Sequence, residues 1–179
     1  MTSTPLAERL RPKTLDDLIG QEHLTGQGSI LRKALENGKI PSMILWGPPG
    51  VGKTTIANII AHTLNVPFYT LSAISSGVKD LREVIDKARH EQNALLYIDE
   101  IHRFNKAQQD FLLPFVERGD ITFIGATNEN PSFEIISPLL SRCRVFVLNE
   151  LSEKEMEQVI KRTKLKVAKD AREWLVQFS

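Results

Sequence analysis

The sequence predicts a three-layer α/β domain with a five-stranded parallel sheet, and three observations predict it. From Met43 onward, short apolar runs alternate with longer amphipathic segments, the order expected when crossover helices join parallel strands. The runs are continuously apolar rather than alternating, as strands covered on both faces should be. A glycine-rich stretch stands directly between the first run and the first amphipathic segment, where a strand turns into a helix.

The elements follow in order. Thr14 with Asp17 three residues later resembles a capping box, and SILRKALEN, ending at Gly38, reads as a second short helix. The strand candidates are MILWG (43–47), PFYTL (67–71), ALLYID (94–99), ITFIGAT (121–127) and RVFVL (144–148). Helical stretches lie near 53–64, 78–90 and 105–117, the last opening with Asn105 as N-cap. Right-handed crossovers then place helices on both faces of the sheet. After Asn149 the composition turns charged and helical in period, so a core over 1–150 and the beginning of a helical subdomain over 151–179 are expected. Trp174, Leu175 and Phe178 need apolar partners that so short a tail hardly supplies, and the chain is expected to be cut inside that subdomain.

Bulk properties exclude several classes. A chain of 179 residues buries one sizeable core. With 23 Lys+Arg against 22 Asp+Glu there is no global positive field, so any DNA contact must come from a local patch. The single cysteine, Cys143, forms no intramolecular disulfide, and the first residues lack the apolar run of a secretory signal. An intracellular, cytoplasmic protein is the expectation. No stretch approaches the roughly 18 apolar residues of a membrane span.

Residues 47–54 read GPPGVGKT, which fits the phosphate-binding loop pattern. Gly50 and Gly52 allow the tight turn that aims consecutive amide hydrogens inward, and the following helix adds its positive end. Lys53 supplies a mobile charge to β and γ phosphates, and the Thr54 hydroxyl is a hard ligand suited to Mg²⁺. Gly47, Pro48, Pro49 and Val51 complete the loop and Thr55 follows it; ATP and Mg²⁺ are the implied cofactors. LLYIDE (95–100) reads as a buried strand ending in two carboxylates, where an α/β sheet presents its ligands. Asp99 is placed to hold the metal, and Glu100 to orient and deprotonate an attacking water. Asn128, after ITFIGAT, should emerge between the ends of those two strands, where its amide could position the water, although Asn is also an ordinary loop residue. Arg142 has the fork geometry to stabilise transition-state charge, or equally to cap a helix end; the residues leave both open. Arg144 reads as structural or interfacial. Trp46 reads as core, and His23, His62, His90 and His102 show no metal-ligand spacing and read as structural. Cys143 has no nearby partner of the kind a nucleophile needs.

The runs ERLRPKTLDDLIGQEHL, GPPGVGKTT, YIDEIHRFNKAQQD, GATNENPSFEI and LLSRCRVFVL, in that order, resemble the clamp-loader branch of the AAA+ ATPases. More narrowly they resemble the family of replication-associated recombination protein A. The resemblance implies a P-loop fold followed by a helical lid, with Ile19 and Gly20 lining an adenine pocket. It implies that Lys53 and Thr54 belong to Walker A, Asp99 and Glu100 to Walker B, and Asn128 to sensor 1, where relatives often carry Thr. Arg142 is then the arginine finger, reaching a neighbouring subunit's nucleotide in a homo-oligomer. Further implications are DNA-dependent ATP hydrolysis at stalled or gapped forks, with single-stranded DNA-binding protein and recombination factors as partners. A Holliday-junction branch-migration motor and a clamp-loader subunit are the near alternatives. A nucleotide-gated scaffold with slow hydrolysis is the alternative of another class.

Overall fold

The computed structural model describes residues 9–91 and 93–163. Five parallel strands, β1 (Met43–Trp46), β2 (Phe68–Ser72), β3 (Leu95–Asp99), β4 (Thr122–Thr127) and β5 (Arg144–Val147), lie in the order β2-β3-β4-β1-β5. All five coincide with the predicted runs to within a residue at each end. The helices are α1 (Glu22–Thr25), α2 (Ile30–Glu36), α3 (Lys53–Leu64), α4 (Val78–Ala88), α5 (Lys106–Arg118), α6 (Pro131–Glu134), α7 (Ser137–Leu140) and α8 (Glu153–Thr163).

Local chemistry sets the element ends. The Thr14 hydroxyl accepts from the Asp17 amide at 3.2 Å while the Asp17 carboxylate accepts from the Thr14 amide at 3.1 Å, completing the capping box on a short 3-10 turn, Leu15–Asp17. Asn105 and Gln108 make the same reciprocal pair at the start of α5, which ends on Gly119 in the left-handed region. The sequence signal missed α1, α6 and α7, each a single turn of four residues and too short to show a helical period. Pro131 and Pro138 stand in the first turns of α6 and α7, where a missing amide hydrogen costs nothing.

The sheet separates two apolar layers, because successive strand residues point to opposite faces. Met43 and Leu45 of β1 pack with Leu31, Ile56, Ile60 and Tyr97, whereas Ile44 packs on the other face with Leu81, Ile85, Leu112 and Phe123. Side chains of this kind are fully buried, and each contributes about 1.5–3 kcal/mol relative to an exposed position. The expectation that every strand is covered on both faces holds for β1, β3 and β4 and fails at β5. Val145 and Val147 there are 41% and 46% exposed, because β5 is an edge strand paired only to β1. β2, at the opposite edge, is likewise only partly covered. Trp46 is also corrected: at the end of β1 it is half-buried and walls a shallow cavity instead of filling the core. Trp174, Leu175 and Phe178 lie outside the described residues. Among those described, no strand follows β5, and no helix is long and apolar enough to cross a membrane.

Candidate functional site

Three strand ends converge at one edge of the sheet. The glycine-rich loop follows β1, Asp99 and Glu100 close β3, and β4, which ends beside Asn128, lies between them. Gly50 and Gly52 take φ values of 79° and 101°, where a side chain would be strained. Gly52 is the N-cap of α3 and offers no side-chain acceptor, so the first amide hydrogens of the helix are left to a ligand. The loop, Lys53, Thr54, Thr55, Asp99 and Glu100 line a polar cavity of about 290 Å³.

Lys53 is buried and donates to the carbonyls of Gly47 at 2.6 Å and Pro48 at 2.7 Å. Burial lowers its pKa, and the charges of Glu100 and Asp99 oppose that shift. With three donors, the ammonium can turn one toward an anion in the cavity while keeping these carbonyls. The Tyr97 hydroxyl bridges the two residues expected to hold a metal, at 2.9 Å from Thr54 Oγ1 and 3.0 Å from Asp99 Oδ1. Tyr97 was missed from sequence. Its spacing of two from Asp99, which puts both side chains on one face of β3, was the available signal. Burial raises its pKa well above the usual phenol range, so the hydroxyl stays neutral and bridges as a hydrogen-bonding group.

Glu100 sits in the left-handed region, at φ 54° and ψ 44°, where the chain leaves β3 for a 3-10 turn, Ile101–Arg103. A non-glycine residue held there costs on the order of 1–3 kcal/mol, and such residues cluster at functional sites. His102, in that turn, places Nε2 at 3.2 Å from Glu100 Oε2 and Nδ1 at 3.0 Å from Thr127 Oγ1.

Beside the polar cavity lies an apolar one of about 500 Å³, walled by Leu18, Ile19, Val51, Leu151, Val159 and Arg162 among others. Both cavities include Gly50, Gly52 and Thr55 in their walls and therefore adjoin. The N-terminal segment is fastened over this pocket. The Gln21 side chain exchanges hydrogen bonds with the backbone of Asn149 at 2.7 and 2.9 Å, and Arg162 donates to the Asp17 carbonyl. Gly20, at φ 77°, passes so close to Leu151 and Glu155 that a Cβ would lie 2.6 Å from Leu151 Cδ2. Of the expected pair Ile19 and Gly20, Ile19 lines this wall and Gly20 does not; Leu151, just before α8, and Val159 and Arg162 of α8 join it through a juxtaposition that local pattern does not reveal.

Asn128 is exposed and walls a third, shallow cavity with Gly47, Pro48 and Pro49, next to the polar one through Pro49. Arg142 follows α7 and is not among the residues lining the polar cavity; it donates to the Pro138 carbonyl at 2.8 Å and pairs with Glu117. Burial pushes the Cys143 thiol up to about 12, which leaves almost no thiolate at neutral pH. Among the described residues, no three His, Cys, Asp or Glu side chains group to hold a metal.

Comparison with known proteins agrees with this fold. The family model described as "ATPase family associated with various cellular activities (AAA)" matches residues 43–151. Replication-associated recombination protein A of Escherichia coli K12 is 55% identical over 163 residues, covering 89% of this chain and 36% of that protein. The ATPase WRNIP1 of Dictyostelium discoideum is 53% identical over 163 residues, covering 89% of this chain and 19% of that one. This chain therefore spans about a third or less of the length of these curated relatives. The solved Thermotoga maritima RuvB Holliday junction branch migration motor superposes with a TM-score of 0.72 at 36% identity, over 86% of this chain and 53% of that chain. With its parallel sheet, glycine-rich loop and paired strand-end carboxylates, the chain belongs to the AAA family of ATPases.

Proposed function

We propose that this chain binds ATP with Mg²⁺, hydrolyses it through Glu100, and powers a cytoplasmic factor that maintains DNA at stalled or gapped replication forks. One observation carries the nucleotide part: the adjoining polar and apolar cavities offer phosphates and base separate, continuous walls. The base lies against Ile19 and Gly20, and the phosphates lie in the loop from Gly47 to Thr54. In this reading 1–150 serve as the nucleotide-binding core and 151–179 belong to a helical lid subdomain.

Lys53 keeps its loop carbonyls and turns its remaining donor to the β and γ phosphates. Thr54 and Asp99 fit a small hard cation, since both present oxygen within 3.0 Å of the Tyr97 hydroxyl; they would hold Mg²⁺, which would supply positive charge to offset that of the phosphates. Glu100 accepts the proton of the attacking water, and Asn128, from the strand between, holds that water or the γ-phosphate. Arg142 leaves Glu117 and stabilises transition-state charge on the nucleotide of a neighbouring copy, so the working unit is a homo-oligomer. The exposed Arg142–Glu117 pair is worth no more than about 1 kcal/mol, so releasing it costs little.

The fork-directed role rests on likeness to replication-associated recombination protein A, with single-stranded DNA-binding protein and recombination factors as expected partners. A second reading, a branch-migration motor, is favoured by the superposition on the RuvB structure. Comparing ATP turnover on single-stranded, duplex, gapped, forked and four-way-junction DNA separates them. Greatest stimulation by gapped or forked DNA supports the first reading, and greatest stimulation by the junction supports the second. One rate on every DNA leaves a nucleotide-gated scaffold.

A further inference from the structure

We infer that His102 is a positioning residue for Glu100, presenting an Nε2–H to one carboxylate oxygen in an orientation fixed by Thr127. The inference rests on the reading of Glu100 as the base in hydrolysis. The His102 side chain is 7% exposed, while that of Glu100 is 26% exposed and faces the polar cavity. Among the described residues, His102 is the one side chain within ion-pair distance of the Glu100 carboxylate.

Hydrogen-bond accounting fixes the direction of the contact. The Thr127 hydroxyl accepts from the Glu129 amide at 3.0 Å. Its single proton goes either to the Glu129 carbonyl at 3.2 Å or to His102 Nδ1 at 3.0 Å. If it goes to Nδ1, the neutral imidazole carries its hydrogen on Nε2 and donates to Glu100. If it goes to Glu129, Nδ1 must donate to Thr127, and a neutral ring would then aim a lone pair at a carboxylate. That repulsion is removed only by an imidazolium, which again presents Nε2–H. With Glu100 ionised, the form in which it acts as a base, every favourable arrangement therefore points a donor at Oε2.

The contact has a purpose in the geometry. Glu100 stands on a strained backbone position at the start of a turn, and its side chain has rotamer freedom that a base must give up. Holding Oε2 leaves Oε1 to receive the proton of water. Thr127 ends β4 immediately before Asn128, so the chain Thr127–His102–Glu100 ties the ends of β4 and β3 together. A satisfied core histidine would need only some hydrogen-bond partner, whereas this one divides its two nitrogens between a buried hydroxyl and the carboxylate proposed to do chemistry.

The test compares ATP turnover and ATP affinity for His102→Ala, His102→Gln, His102→Asn and Thr127→Val in the full-length protein, beside Glu100→Gln. His102→Ala should lower kcat about 10- to 100-fold, the usual cost of removing a group that orients another, with KM for ATP changed less than about twofold. The Gln amide reaches the Nε2 position and should recover most of that loss, whereas the Asn amide stops at the Nδ1 position and should not. Thr127→Val should lower kcat in the same direction, and His102→Ala should add nothing in the Glu100→Gln background. Equal behaviour of the Gln and Asn variants, a loss confined to KM, or additivity with Glu100→Gln overturns the inference. If His102→Ala does not fold, the Gln and Asn pair decides. Normal turnover by Glu100→Gln overturns the base assignment itself; an inactive Glu100→Gln beside a fully active His102→Ala overturns the inference alone.

Discussion

Lys53 shows how a single side chain holds the phosphate-binding loop together. Its ammonium satisfies two loop carbonyls while the Asp99 and Glu100 charges offset part of its desolvation. Lys53→Ala should therefore weaken ATP binding at least about tenfold by removing the charge at the phosphates, which isothermal calorimetry would measure; unchanged affinity would remove Lys53 from the site. Gly20 makes a second residue-scale prediction. At φ 77°, with Leu151 and Glu155 close by, Gly20→Ala should lower stability by about 1–2 kcal/mol and weaken ATP binding through the apolar pocket. Thermal unfolding with and without ATP checks both effects. The P-loop and the Asp99–Glu100 pair were legible because their types and spacing are local. His102 and Tyr97 were not, since the first depends on Thr127, 25 residues away, and the second on Thr54, 43 residues away. Trp46 was misread because an aromatic residue at a strand end can look like core until the flanking loop is placed.

At the scale of elements, the start of α8 decides how the Leu151 side of the apolar pocket is held. The Ser152 amide and hydroxyl both donate to the Glu155 carboxylate, at 2.7 and 2.6 Å, and these bonds lower the Glu155 pKa. A carboxylate whose folded pKa lies below its unfolded value stabilises the fold above that unfolded value, near 4.5. The contribution is lost as pH falls through the lowered folded value. Amide exchange in α8, relative to its intrinsic rate, should therefore be slow near neutral pH and accelerate as pH falls below 4.5, before the sheet opens, and Glu155→Gln should remove that acid step. Exchange that accelerates together in α8 and the sheet would contradict it. The five strands and the three long helices were readable because each is an apolar run or a full helical period. The exposure of β5 was not, because an apolar run does not say whether it lies at the centre or the edge of a sheet. Nor were the one-turn helices α6 and α7 legible, except through Pro131 and Pro138.

At the scale of the whole molecule, the role proposed for Arg142 joins one protomer's nucleotide to its neighbour. Arg142→Ala should leave ATP binding unchanged while lowering turnover of the oligomer at least about 100-fold, in keeping with arginine fingers elsewhere. In oligomers mixed from Arg142→Ala and Glu100→Gln protomers, some activity should return, because one interface then carries both intact groups; a mixture as inactive as its parents would mean that Arg142 acts on its own protomer's nucleotide. The central claim is that the Glu100 carboxylate, set at the end of β3 beside the phosphate loop, drives hydrolysis. It is tested most directly by measuring ATP affinity and steady-state turnover of the Glu100→Gln full-length protein, with and without forked DNA. Retained ATP binding with turnover lost on every DNA is the result the account predicts, and turnover at the rate of the unaltered protein is the result that would contradict it.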